Sequence, residues 1–204
     1  NGYGFKDMEV IMNSFYTEKE LAQIGFKRYG TDVKISRKSS IYGAEDMILG
    51  NHVRVDDFCI LSGKIEIGSY VHIAAYTALY GGEYGIFLDD FVGISSHSCV
   101  YAASDDYSGA ALTNPTVPNY YRKVDSRQVC MEKHVLVGAT SIVLPGVTLK
   151  EGSSFGSFSL ITSDSEEWSI NIGIPAHKIK NRKRDLLELE KKMMEEVEDC
   201  QPYR

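Results

Sequence analysis

Residues 131–165 read MEKHVLVGATSIVLPGVTLKEGSSFGSFSLITSDS, and every sixth one is large and apolar: Met131, Val137, Val143, Leu149, Phe155 and Ile161. Two positions ahead of each later member stands a small or β-branched residue: Val135, Ser141, Val147, Ser153 and Ser159. An α-helix repeats about every 3.6 residues and a strand about every 2, so neither explains the period. Very short strands joined by tight turns and wound around an axis do. The sixth-position side chains then point inward as one stacked aliphatic column. The smaller residue sits at the bend, where a large one would crowd.

Upstream, Leu49, Val55, Leu61, Ile67, Ile73 and Leu79 keep the same rhythm. GGEYGIF shifts the register, and it returns at Leu88, Ile94 and Val100. Val33, Ile35 and Ile41 hint at it without fixing it. At roughly three hexads per turn, about five coils of very short strands are expected. Residues 1–32 are expected to cap the open end: Thr17 to Glu20 offers a capping box, and Leu21, Ile24 and Gly25 mark a short helix stopped by glycine. Residues 33–167 form the coil. Residues 168–204 hold a turn, a basic segment from Lys178 to Arg184, and a helix from Asp185 whose apolar stripe is Leu186, Leu189, Met193 and Val197. That helix is expected to lie on the coil or on a neighbouring subunit.

The rhythm breaks at residues 102–128, AASDDYSGAALTNPTVPNYYRKVDSRQ. Gly109, Pro115 and Pro118 interrupt it, and it is too polar for another coil. A solenoid accommodates such an insertion by pushing it outward, and long loops in compact domains are commonly functional. Tyr107, Tyr120 and Tyr121 favour an ordered arm over a flexible linker.

The 204 residues suffice for one substantial domain, and a formal net charge of −6 argues against nonspecific nucleic-acid binding as the main task. No stretch has the length and apolarity of a membrane span, and no secretory signal is evident. Cys59, Cys99, Cys130 and Cys200 lack CxxC spacing, which reads as reduced thiols in a cytoplasmic protein rather than disulfides or a zinc site.

The hexads, the outward loop and the later GIPAHKIK together resemble the hexapeptide-repeat acyltransferases, over roughly residues 33–183. The resemblance implies an all-β solenoid, a left-handed parallel β-helix with an N-terminal cap, an outward loop and a C-terminal α-helix. It further implies a homotrimer whose active sites lie in clefts between coils, with acyl-CoA as cosubstrate and no permanently bound cofactor or metal. The loop looks like that of the branch that modifies sugars of surface polysaccharides. Gly138, Ala139, Gly156 and Ser157 would let a pantetheine arm lie close to the backbone. Pro175 and Lys178, at and after the Gly-x-Pro-Ala turn, are expected at the CoA end, the basic segment facing its phosphates.

Acyl transfer from a thioester needs an attacking acceptor, a group to take its proton and a donor for the oxyanion. The family's O-acetyltransferases use a loop histidine as base, and this loop has none; Asp105 and Asp106 occupy its place. Of His52, His72, His97, His134 and His177, the first four are expected to point outward, and His72 and then His97, on the coils before the loop, are the candidates for catalysis beside Asp105 and Asp106. Turn formation is the alternative reading of the Asp pair. Ser96, Tyr107 and Asn114 are the expected substrate-binding residues. A hydroxyl needs a good base, whereas an amine needs only to lose its ammonium proton, so the missing histidine favours N-acylation of an amino sugar, nucleotide-linked, over O-acetylation. A carbonic-anhydrase-like metalloenzyme would need three histidines sharing a metal, which this spacing does not offer. A non-catalytic scaffold is the remaining alternative, against which the arm and the basic end argue.

Overall fold

The computed structural model describes residues 14–199. The chain winds into a three-sided β-solenoid, with coils hydrogen-bonded in parallel to the coils before and after. On the first face, Lys34–Ile35, Arg54–Val55, His72–Ile73, Gly93–Ile94, Leu136–Val137, Ser154–Phe155 and Ser169–Gly173 stack in that order, and Ala176–Asn181 closes the sheet antiparallel. Seven parallel rungs replace the five coils expected. The early rungs were hidden because irregular spacing around Ile35 and Ile41 breaks the count, and the last lies beyond Ser165, where the hexads end. The second and third faces form one nine-stranded sheet, because Ile60–Ile67 and Ala78–Leu88 run continuously around the corner between them.

The core is the predicted column. Met131, Val137, Val143, Leu149, Phe155 and Ile161 are all buried, as are Leu49, Val55, Leu61, Ile67, Ile73, Leu79, Leu88, Ile94 and Val100. At the bends, Ser141 and Ser159 are also buried, and both hydroxyls donate to the Gly156 carbonyl, at 3.4 and 2.7 Å.

The fourth place of each hexad makes the turn in the left-handed region, with φ near +60° at His52, Phe58, Tyr70, Tyr76, Phe91, His97, His134, Thr140 and Phe158. That conformation costs about 1–2 kcal/mol for a side-chain-bearing residue. Two effects offset it. Turn amides reach the coil before, as in Tyr70 N to Asn51 O at 2.9 Å and Phe91 N to Ser69 O at 2.9 Å. The roughly 4.8 Å spacing of hydrogen-bonded strands is also close to aromatic stacking distance. His52, Tyr70, Phe91 and His134 therefore form a ladder with centroids 4.7, 4.9 and 5.1 Å apart. Phe58, Tyr76 and His97 form a second along another corner, at 4.9 and 4.8 Å.

The N-terminal helix α1, Glu18–Ile24, has the capping box between Thr17 and Glu20 and a left-handed C-cap at Gly25. Its Leu21 joins the core at the first coil; residues 1–13 of the expected cap lie outside the described residues. The C-terminal helix α2, Leu186–Asp199, docks differently from expectation: Leu189 is 67% exposed, while Leu186, Leu187, Glu190, Met193, Met194 and Val197 are half-buried. A polar anchor sets that rotation, Glu190 meeting both Lys133 and His134. Among the described residues, no helix is long and apolar enough to cross a membrane.

Candidate active site

The excursion is an ordered arm. It leaves the coil between the second and third faces as a hairpin, Ala103–Asp105 against Val124–Ser126, with Ala103 opposite Ser126 and Asp105 opposite Val124. Farther out, Leu112 bridges to Arg122 and a 3-10 turn spans Asn119–Tyr121. Between the arm and the following coils opens a cleft of about 940 Å³, lined by Asp105, Tyr107, Lys123, Arg127, Leu144 and Pro145 among others. Ligand pockets commonly have that size.

The structure separates the two aspartates. Asp106 accepts from Ser108 N, Ser108 Oγ and Ala110 N at 2.9–3.1 Å, and these bonds, the Ser108 hydroxyl foremost, hold its carboxyl below the ordinary range. It builds the turn. Asp105 instead accepts Asn114 N on Oδ2 at 3.1 Å and Arg122 Nη2 on Oδ1 at 3.3 Å, half-buried in the cleft wall. The Asn114 Oδ1 receives Thr116 N and Oγ1, so this residue shapes the loop, while Tyr107 stands 94% exposed at the cleft.

His72, His97 and Asp105 do not meet within one chain. His72 projects from the first face, across the prism from the corner that the arm leaves, and its Nε2 lies 2.8 Å from Asp56 Oδ2. Burial pushes the Asp56 carboxyl up, but hydrogen bonds from His72 and Arg54 outweigh that and hold it low. His97 is exposed at the corner of the first and second faces, stacked on Tyr76, and Ser96 beside it gives its carbonyl to Thr140 N. His134 points out of the column, as expected, but barely reaches solvent. It is only 7% exposed, because Phe91, Trp168 and α2 roof it over. Among the described residues, no three His, Cys, Asp or Glu side chains group to hold a metal ion.

The expected CoA track runs along the corner of the first and second faces. Gly138 N donates to Phe155 O and Gly156 N to Asn171 O, both at 2.8 Å, and their carbonyls take serine hydroxyls. A Cβ at Gly138 would lie 2.6 Å from Phe155 O, so close coil stacking itself demands glycine there. Beside them, Ala139 and Ser157 are half-buried and exposed, respectively. The basic segment divides. Lys178 stands on the last strand, its Nζ 2.7 Å from Glu166, in a small cleft at the coil's end. Arg182 donates to the carbonyls of His134 and Gly152, and Arg184 lies over the Trp168 ring, so both clamp the C-terminal segment. Pro175 makes the turn between the last two strands.

Sequence reasoning missed Arg122, Lys123 and Pro145. The only available signal was two adjacent bases, Arg122 and Lys123, in an arm with as many bases as acids; nothing local pairs Arg122 with Asp105.

A hexad-built coil, an ordered arm holding a fixed carboxylate and a cleft beneath it define an acyltransferase of the hexapeptide-repeat class. No protein-family profile matches the chain. It is 42% identical over 180 residues, 87% of this chain and 93% of the relative, to the dTDP-4-amino-4,6-dideoxy-D-glucose acyltransferase of Escherichia coli. The structure of AntD, an N-acyltransferase from Bacillus cereus, with dTDP and 3-hydroxybutyryl-CoA superposes with a TM-score of 0.90 and 52% identity, covering 92% of this chain and all of that one. A second AntD structure, with dTDP-4-amino-4,6-dideoxyglucose and coenzyme A, matches equally at a TM-score of 0.90. Some AntD structures carry a replaced serine, others a replaced aspartate ten positions beyond it. The chain belongs to the sugar N-acyltransferases of the left-handed β-helix, hexapeptide-repeat family.

Proposed function

We propose that this enzyme moves a short acyl group from acyl-CoA to the amino group of a dTDP-linked 4-amino-4,6-dideoxy sugar, for surface-polysaccharide synthesis in the cytoplasm. The observation that carries this reading is Asp105, anchored at both oxygens in the wall of a cleft under a histidine-free arm. The relatives named above act on or bind that sugar nucleotide. The ten-residue serine-to-aspartate spacing of AntD recurs here as Ser95 to Asp105 and Ser96 to Asp106. Because Asp106 is occupied in its turn, Asp105 and Ser95 are the pair we assign.

In the reaction, the neutral amine attacks the thioester carbonyl carbon, forming a C–N bond and a tetrahedral oxyanion. Collapse breaks the C–S bond and releases CoA thiolate, which takes up the proton lost by the amine. Asp105 holds the amino group in line by accepting one of its N–H bonds, which requires no strong base. Lys178, Ala139 and Ser157 are assigned to CoA along the corner of the first and second faces.

His72 and His97 lie on other sides of the prism from Asp105, so one site using them with the arm needs adjacent subunits. A homotrimer supplies these, and the second face suits its contact: the outward column Ile60, Ala78, Cys99, Ile142 and Leu160 is apolar throughout. The test is release of free thiol from acetyl-CoA and 3-hydroxybutyryl-CoA with dTDP-4-amino-4,6-dideoxyglucose, against its 4-hydroxy counterpart. Turnover is expected with the amine alone. Equal turnover of the hydroxyl sugar, or none with either, refutes the proposal.

A further inference from the structure

Arg122 is buried in the arm to 16% side-chain exposure. Its Nη2 reaches Asp105 Oδ1 and its Nη1 reaches Asn119 Oδ1, both at 3.3 Å. Its Nε is buried with no hydrogen-bond partner among the described residues. Burying a guanidinium is costly unless its charge is paired and its donors are satisfied. Here one donor is orphaned and the other two bonds are long. An arginine kept only to stabilise the arm would be poorly chosen, and such unsatisfied buried groups in native proteins concentrate where function holds them.

The geometry at Asp105 says what is gained. A carboxylate presents about four lone-pair sites. Arg122 takes one on Oδ1 and Asn114 N takes one on Oδ2, so the carboxyl plane is fixed from both sides while acceptor positions stay open toward the cleft. The planar fork also ties this plane to Asn119 at the arm's far turn, which a lysine ammonium cannot do with the same rigidity. We infer that Arg122 is a positioning residue for acyl transfer: it aims Asp105 at the acceptor amine and ties that aim to the turn at Asn119. This rests on the function proposed above.

The test uses the full-length enzyme with dTDP-4-amino-4,6-dideoxyglucose and acetyl-CoA. Arg122→Gln is expected to lower kcat roughly 100-fold, the scale of loss that follows a small misplacement of a reacting group, with CoA affinity by calorimetry unchanged. Arg122→Lys should recover part of that loss, and guanidinium ion should partly restore Arg122→Ala. The double variant Arg122→Gln with Asp105→Asn should be no slower than Asp105→Asn alone, since the two residues act as one unit. Losses that multiply in the double variant, a kcat for Arg122→Gln within about threefold of the parent, or no response to guanidinium would each overturn the inference. If Arg122→Gln fails to fold, the lysine variant and guanidinium rescue decide it. Absence of turnover by the parent enzyme is a different result: it removes the proposed reaction, and this role with it.

Discussion

Adjacent aspartates in the arm have opposite assignments, and a single-atom exchange tells them apart. Asp106→Asn loses one of the two oxygens that separately receive Ser108 N and Ala110 N, a cost borne by the turn rather than by the acceptor amine, so kcat is expected to stay within about threefold of the parent. Asp105→Asn puts an amide nitrogen where Arg122 or Asn114 now donates to oxygen, turning attraction into donor–donor conflict. A loss of roughly 100-fold in kcat is expected, with CoA binding retained. Steady-state kinetics beside CoA calorimetry checks both. At this scale the sequence was half legible. The missing loop histidine pointed to the Asp pair, but Asp105 is set apart by Arg122, seventeen residues away, and that contact exists only once the hairpin closes.

The elements show which patterns survive tertiary context. The six-residue period between Met131 and Ile161 placed every inward side chain because each coil buries its column by itself. Of the expected stripe of α2, Leu186, Met193 and Val197 are half-buried, but Leu189 is turned outward because Glu190, between Lys133 and His134, fixes the helix's rotation. This anchor titrates. Burial raises the Glu190 carboxyl, but the bonds from Lys133 and His134 outweigh it, leaving the group below its ordinary value of 4.5. A depressed carboxylate stabilises the fold fully above its unfolded pKa and loses that contribution as pH falls through its folded one. Glu190→Gln is therefore expected to cost about 1–3 kcal/mol at neutral pH, read as a lower Tm. The gap between variant and parent should close progressively as pH is taken below 4.5.

Across the whole molecule, the three faces carry different outward columns. The first begins with Lys34, Arg54 and His72, and the third mixes Ile48, Glu66, Phe87 and Cys130; the second alone is apolar from Ile60 to Leu160. Ile142, 40% exposed, lies in that column between Cys99 and Leu160. On the proposed homotrimer with its shared site, Ile142→Glu is expected to leave a folded monomer, seen as a threefold fall in mass by light scattering, and to abolish turnover. Two departures from the regular coil fall at the corner between the second and third faces. The extra residues of GGEYG bulge there within Ala78–Leu88, and the arm leaves from the same corner one coil later. Beyond the arm, Val129–Met131 rejoins Ile86–Leu88 in parallel register, as if nothing had intervened. That corner is a splice point: whatever is inserted there, the ladder closes behind it. An arm from another member of the family, joined at Ala102 and Arg127, should therefore bring its own acceptor preference to a coil that continues to bind the same CoA.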